Sequence, residues 1–222
     1  MVAENLHKVL STIQSGIKLV AVSKFHPVSA LQEAYDAGQR VFGESHVQEL
    51  VEKEQVLPKD IEWHFIGHLQ TNKVKYMASF ISLIHAVDSV KLLKEINKHA
   101  QHNDRVIDCL LQIHIAKEET KFGFTPDELH AMLQEGEWKQ FPNVRICGLM
   151  CMATNTDDET QIASEFEYAH QIFEEVKRTY FADAESFCEL SMGMSGDYLI
   201  AQQHGSTMVR IGSMIFGERQ YN

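Results

Sequence analysis

The segment LSMGMSGDYLIAQQHGSTMVRIGSMIFGER, residues 190–219, sets small residues, hydroxyls and one arginine between two apolar runs. Ser195, Gly205, Ser206, Thr207, Gly212 and Ser213 can bring backbone N–H groups and hydroxyls close to an anion, since glycine puts no side chain in the way. Residues 208–211 read as a strand, and Gly212 and Ser213 after it open a short helix whose N-terminus attracts phosphate. Near the other end of the chain one lysine, Lys24, closes the apolar run KLVAVSK, residues 18–24. A phosphate cradle and a lysine at a strand tip point together to a phosphorylated aldehyde held as an imine.

Outward from that segment the periodicity alternates. Short apolar, often β-branched runs at 19–23, 40–42, 63–66, 83–86, 107–113, 145–149, 187–190 and 208–211 read as strands. Helical patterns lie between them at 29–37, 47–55, 71–77, 90–102, 126–134, 158–180 and 197–203. Thr71 follows a glycine-bearing turn, Thr125 precedes Pro126, and Asp197 precedes a helical run, all of which suit helix starts. The acidic run 157–159 also suits a helix start, where negative charge meets the dipole. Eight strands and seven helices after a leading helix near 4–14 predict an α/β fold, one (β/α)8 TIM-type barrel over residues 1–222. Continuous apolar runs such as VAV and CLLQI suit barrel strands buried on both faces. A doubly wound open sheet is the competing arrangement.

Composition narrows the function. Apolar residues make up 44% of the 222, enough for a substantial core. The formal charge of −11 argues against nonspecific nucleic-acid binding, which needs a positive field, but leaves room for a local anion site. No run approaches the roughly 18 apolar residues of a membrane span. The N-terminal stretch is amphipathic and lacks the regions of a secretory signal, so a cytoplasmic location is expected. The four cysteines show no C-x-x-C spacing and read as buried free thiols.

In a barrel, reactive residues gather at the carboxyl ends of the strands, and phosphates often sit after strands seven and eight. Lys24 ends the first strand, SMGMS (191–195) the seventh, and Gly212 and Ser213 follow the eighth. Closing the barrel sets the first strand beside the eighth. A lysine must lose its proton to attack an aldehyde, and an apolar barrel mouth lowers the pKa of an amine from about 10.4. A surface lysine where strand meets loop is the other reading of Lys24.

The segments VAVSK (20–24), FGESHVQE (42–49), WHFIGHLQTNK (63–73), TKFGF (120–124), GLMCM (148–152) and the tail from Leu190 resemble the pyridoxal phosphate homeostasis protein family, relatives of the alanine racemase barrel. The resemblance covers nearly the whole chain. It implies a fold-type III barrel that binds pyridoxal 5′-phosphate (PLP) as an internal aldimine on Lys24. By the same resemblance Ser195, Gly212 and Ser213 face the phosphate, with Thr207 a further candidate. Arg210 faces the pyridine nitrogen, and His64 lies near the cofactor. An arginine stays protonated, donates to the ring nitrogen and disfavours its protonation, which weakens the ring as an electron sink.

The family commonly reads FGEN where this chain has FGES. Ser45 offers one hydroxyl in place of an amide, so a direct contact from that position is not expected. His64 and His68 form H-x-x-x-H, but a strand and a turn separate their faces, and no metal site is expected. Lys121 is a candidate for the barrel mouth or for solvent, and Met150 and Met152 for barrel filling. Racemisation needs two bases, and in the related racemases the second comes from a further β-domain, for which residues after 217 leave no room. The expectation is therefore a monomeric PLP buffer that exchanges its cofactor transiently with apo-enzymes. A weak PLP-dependent racemase or lyase, and a Schiff-base aldolase on a phosphorylated sugar, are the enzymatic alternatives.

Overall fold

A computed structural model of the chain describes residues 1–118 and 122–217. Eight parallel strands close into a barrel in sequence order: β1 (Lys18–Val22), β2 (Val41–Glu44), β3 (Glu62–Phe65), β4 (Leu83–Val87), β5 (Ile107–Gln112), β6 (Val144–Met150), β7 (Glu189–Met194) and β8 (Met208–Ile211). The seam is the pairing of β1 with β8, where Lys18 lies opposite Met208, Val20 opposite Arg210 and Ala21 opposite Ile211. The fold is the expected (β/α)8 barrel, and the open sheet is excluded.

Helices α1 (Val2–Leu10), α2 (Val28–Asp36), α3 (Val47–Val56), α4 (Val90–His102), α5 (Pro126–Glu135), α6 (Glu159–Tyr180), α7 (Tyr198–Gln203) and α8 (Ser213–Phe216) surround the strands. Local chemistry sets several of their starts. Thr125 and Glu128 form a reciprocal capping box ahead of Pro126. Asp158 accepts from the N–H groups of Thr160 and Gln161 at the head of α6. Ser89 accepts from Leu92 N–H at the head of α4.

The apolar side chains form two compartments. The larger fills the space between strands and helices, and includes Phe187 stacked between Phe173 and Phe181 at centroid distances of 5.3 and 4.3 Å. The smaller is built only from strand residues, Val20, Leu83, Leu110, Cys147, Met150 and Met208, and plugs the barrel interior. Met150 is thus barrel filling as expected. Gly148 permits the tight pairing of β6 with β7: its φ is +151°, and a Cβ there would lie 1.7 Å from the Glu189 carbonyl oxygen.

Several boundaries move. The seventh strand, expected at 187–190, runs Glu189–Met194 because ladder pairing carries it past the small residues Ser191 and Gly193. Residues 71–77 form a 3₁₀ turn, Thr71–Tyr76, rather than an α-helix. The leading helix stops at Leu10, where the Ser11 and Thr12 hydroxyls turn back onto the Lys8 and Val9 carbonyls. Three cysteines are buried thiols, whereas Cys188 is exposed. No described helix is long and apolar enough to cross a membrane. Lys121 lies outside the described residues.

Candidate functional site

A cavity of about 220 Å³ opens at the carboxyl end of the barrel, across the β1–β8 seam. Its wall carries Lys24 from the turn after β1, Ser195 and Gly196 from the turn after β7, Arg210 from within β8, and Gly212 and Ser213 from the start of α8. Five residues expected at the site, Lys24, Ser195, Arg210, Gly212 and Ser213, therefore meet in one place. The Gly212 N–H reaches Ser195 Oγ at 3.4 Å, which joins the two turns. Among the described residues, two cations and no carboxylate line this cavity, in a chain of net charge −11.

The turn that presents Lys24 is held on both sides. Ser23 donates its N–H to the Gly43 carbonyl at 3.0 Å and its hydroxyl to Glu44 Oε1 at 2.6 Å. Lys53, on the buried face of α3, donates to the Ser23 carbonyl, Glu44 Oε1 and Glu49 Oε1, each at 2.7 Å. Glu49 Oε1 also accepts from Phe25 N–H at 2.6 Å, and Phe25 adopts φ +66°, unusual for a residue with a bulky side chain. Burial pushes the Glu44 carboxyl up to about 7 against the pull of Lys53 and Ser23. Its second oxygen, Oε2, is buried without a partner.

Arg210 is buried inside the barrel. It donates from Nη1 to Ser191 Oγ at 2.7 Å and from Nη2 to the Cys151 carbonyl at 3.1 Å. A guanidinium has five N–H donors, so these two contacts leave others for the cavity it lines. Burial lowers its pKa, yet an arginine starts so high that the charge persists.

Two expected residues are not brought here. His64 sits midway along β3 and lines a different cavity, of about 340 Å³, at the amino-terminal end of the barrel. Thr207 precedes β8, so its hydroxyl lies at that same end, accepting from Leu190 N–H and donating to Glu189 Oε2, each at 2.8 Å. The amino-terminal cavity carries two described cations, each paired, Lys18 with Glu189 and Arg145 with Asp108 in a fork of 2.7 and 2.8 Å, and a third carboxylate, Glu62. It therefore lacks the surplus positive charge of the carboxyl end. Ser45 is absent from the Lys24 cavity wall.

Sequence reasoning did not single out His26 or the Glu44–Lys53–Glu49 cluster, and it named Ser191 only as part of the segment 191–195. His26 lines the Lys24 cavity and stacks on Phe216 at a centroid distance of 5.1 Å. Its place two residues after Lys24 is the one signal that pointed to it.

Comparison with known proteins supplies the family. The family model described as alanine racemase, N-terminal domain, matches residues 1–220. A pyridoxal phosphate homeostasis protein of Aquifex aeolicus is 38% identical over 98% of both chains. One of Pasteurella multocida is 40% identical over 94% of this chain and 89% of its own. This chain belongs to the pyridoxal phosphate homeostasis protein family. Among solved structures, PipY of Synechococcus elongatus without PLP superposes with a TM-score of 0.90 at 35% identity, over 98% of this chain and all of that one. The same protein with PLP bound gives 0.88 at 34%, with the same coverage. Alanine racemase of Clostridium difficile shares the fold, with a TM-score of 0.77 at 14% identity over 57% of its length.

Proposed function

We propose that this protein binds pyridoxal 5′-phosphate in the cavity at the carboxyl end of its barrel and holds it for release, as a carrier in PLP homeostasis. The observation that carries this reading is the pair of cations, Lys24 and Arg210, on a cavity wall to which no described residue contributes a carboxylate. The donor set suits the cofactor. Ser195 and Ser213 offer hydroxyls, and the first N–H groups of α8 have no acceptor within the helix. A Cβ at Gly196 would meet nothing within 4 Å, so the turn after β7 leaves open space for a phosphate. PipY was solved with PLP bound, and the curated relatives carry the homeostasis name.

When bound, the cofactor supplies an aldehyde and an electron-withdrawing ring. Lys24 is the amine that takes up the aldehyde carbon, with loss of water, and gives it back to water or to a second amine. Arg210 donates to the ring nitrogen and, being itself protonated, disfavours a proton there. That restrains carbanion chemistry and suits storage better than turnover. Ser195, Gly212 and Ser213 anchor the phosphate, the part of the cofactor that does not change as the aldehyde is taken up or released.

Parent protein mixed with PLP is expected to gain a visible absorbance band that borohydride traps on Lys24. Lys24→Ala is expected to lose both, and an unchanged band in that variant overturns the assignment. Transfer to an apo-enzyme faster than spontaneous dissociation supports delivery. A second reading, weak amino-acid racemase or lyase activity, draws on His26, a second proton-transfer group on the same wall. Deuterium exchange at Cα of alanine well above that of free PLP favours it.

A further inference from the structure

Behind Arg210 a line of buried polar side chains crosses the barrel. Ser191 Oγ accepts from Arg210 Nη1 at 2.7 Å and lies 2.9 Å from His85 Nδ1. His85 Nε2 lies 3.0 Å from His64 Nδ1. Ser191 and His85 are completely buried, and His64 is only 5% exposed. The line begins at the Lys24 cavity and ends at His64, on the wall of the amino-terminal cavity.

Its direction follows from the donors. A guanidinium can only donate, so Ser191 Oγ spends a lone pair on Arg210 and keeps its hydrogen. Among the described residues the acceptor within reach of that hydrogen is His85 Nδ1, at 2.9 Å. The reverse direction, with His85 Nδ1–H donating to Ser191, strands a buried hydroxyl hydrogen, and an unmade buried hydrogen bond is expensive. Nδ1 of His85 is therefore bare and Nε2 carries the proton. That proton goes to His64 Nδ1, which leaves the His64 proton on Nε2. Both rings are neutral: burial lowers both pKa values, that of His64 to about 3.

We propose that Ser191, His85 and His64 are positioning residues, a one-way hydrogen-bond chain that holds the Arg210 guanidinium in a single orientation toward the cofactor ring nitrogen. The proposal rests on the PLP reading above for its ring-nitrogen half. The chain itself belongs to the protein without cofactor. Nη1 is fixed by Ser191 and Nη2 by the Cys151 carbonyl, so the guanidinium plane is set by two anchors on neighbouring strands before any ligand arrives. A site organised in this way loses little freedom on binding.

Two measurements test it. Long-range proton–nitrogen NMR of the cofactor-free protein is expected to show His85 and His64 both as neutral Nε2–H tautomers at pH 7. An Nδ1–H tautomer or an imidazolium at His85 overturns the chain. In the PLP-loaded protein, Ser191→Ala is expected to weaken PLP affinity by about tenfold, the loss of one charge-assisted contact. It is also expected to displace the visible band or its pH titration, and Ser191→Thr, which retains an Oγ, restores both. A folded Ser191→Ala protein whose affinity, band and titration match the parent overturns the positioning role. His85→Phe gives the same readings should Ser191→Ala fail to fold. A parent protein that stays colourless with PLP overturns the cofactor reading and the ring-nitrogen half of this proposal, while the tautomers still judge the chain.

Discussion

Replacing Glu44 by glutamine should change how the stability of this protein depends on pH. Glu44 is completely buried at the carboxyl end of β2. One oxygen, Oε1, takes hydrogen bonds from Ser23 and Lys53, while Oε2 is buried and takes none. A carboxylate with one bare buried oxygen is costly, and burial outweighs the Lys53 ammonium, so the carboxyl rises from the ordinary 4.5 to about 7. Below pH 4.5 folded and unfolded chains both hold this proton. Between about 4.5 and 7 only the folded chain holds it, so its stability falls as pH rises through that window and levels off above it. A rise of roughly 2.5 pH units, at about 1.36 kcal/mol each, amounts to about 3 kcal/mol. Glutamine has nearly the same shape and no titration. Urea unfolding at pH 5, 6, 7 and 8 measures the difference between parent and Glu44→Gln, and the subtraction removes every group they share. The variant should gain about 2.5 kcal/mol on the parent between pH 5 and pH 8, since the series leaves out the part of the window below pH 5. Parallel profiles, or a parent that gains on the variant as pH rises, refute the reasoning and mean that Lys53 keeps Glu44 ionised throughout.

Gly148→Ala should abolish soluble folded protein, since the added Cβ lies 1.7 Å from the Glu189 carbonyl oxygen at φ +151°; circular dichroism of the expressed variant decides it. Phe187→Ala should cost about 3–5 kcal/mol in denaturant unfolding, because it empties the centre of a three-ring stack with little room to collapse. Gly212→Val should weaken PLP binding in a fluorescence titration. Its Cβ would come 2.9 Å from the Val22 carbonyl oxygen and force apart the turns that carry Lys24 and Ser213, so unchanged affinity removes Gly212 from the anchor.

The barrel was legible because its strands are buried on both faces and read as continuous apolar runs, with helical periods between them. Lys24, Ser195, Gly212 and Ser213 were legible for a related reason: each lies where a run stops, and a closed barrel gathers such stops at one end. The β7 boundary was not, because Ser191 and Gly193 interrupt the apolar pattern, although pairing with β8 resumes at Met194 after a register shift. No local pattern marks Glu44 and Lys53 as buried. Only the packing of α3 over the β1–β2 edge shows that they are buried together beneath the reactive turn. Thr207 was misplaced because a hydroxyl just before a strand faces the opposite end from one just after it. His64 illustrates a distance problem: it reaches Arg210 only through two intervening side chains, His85 and Ser191, that no local motif joins.

The β1–β8 seam has a consequence for how the protein is made. Lys24 leaves the ribosome early, but the strand that completes its cavity ends at Ile211. Until that last stave is translated, Lys24 stands without Arg210, Gly212 and Ser213 on the wall beside it. A nascent or prematurely terminated chain therefore lacks the cavity altogether, and its assembly must wait for the slow, long-range closure of the ring.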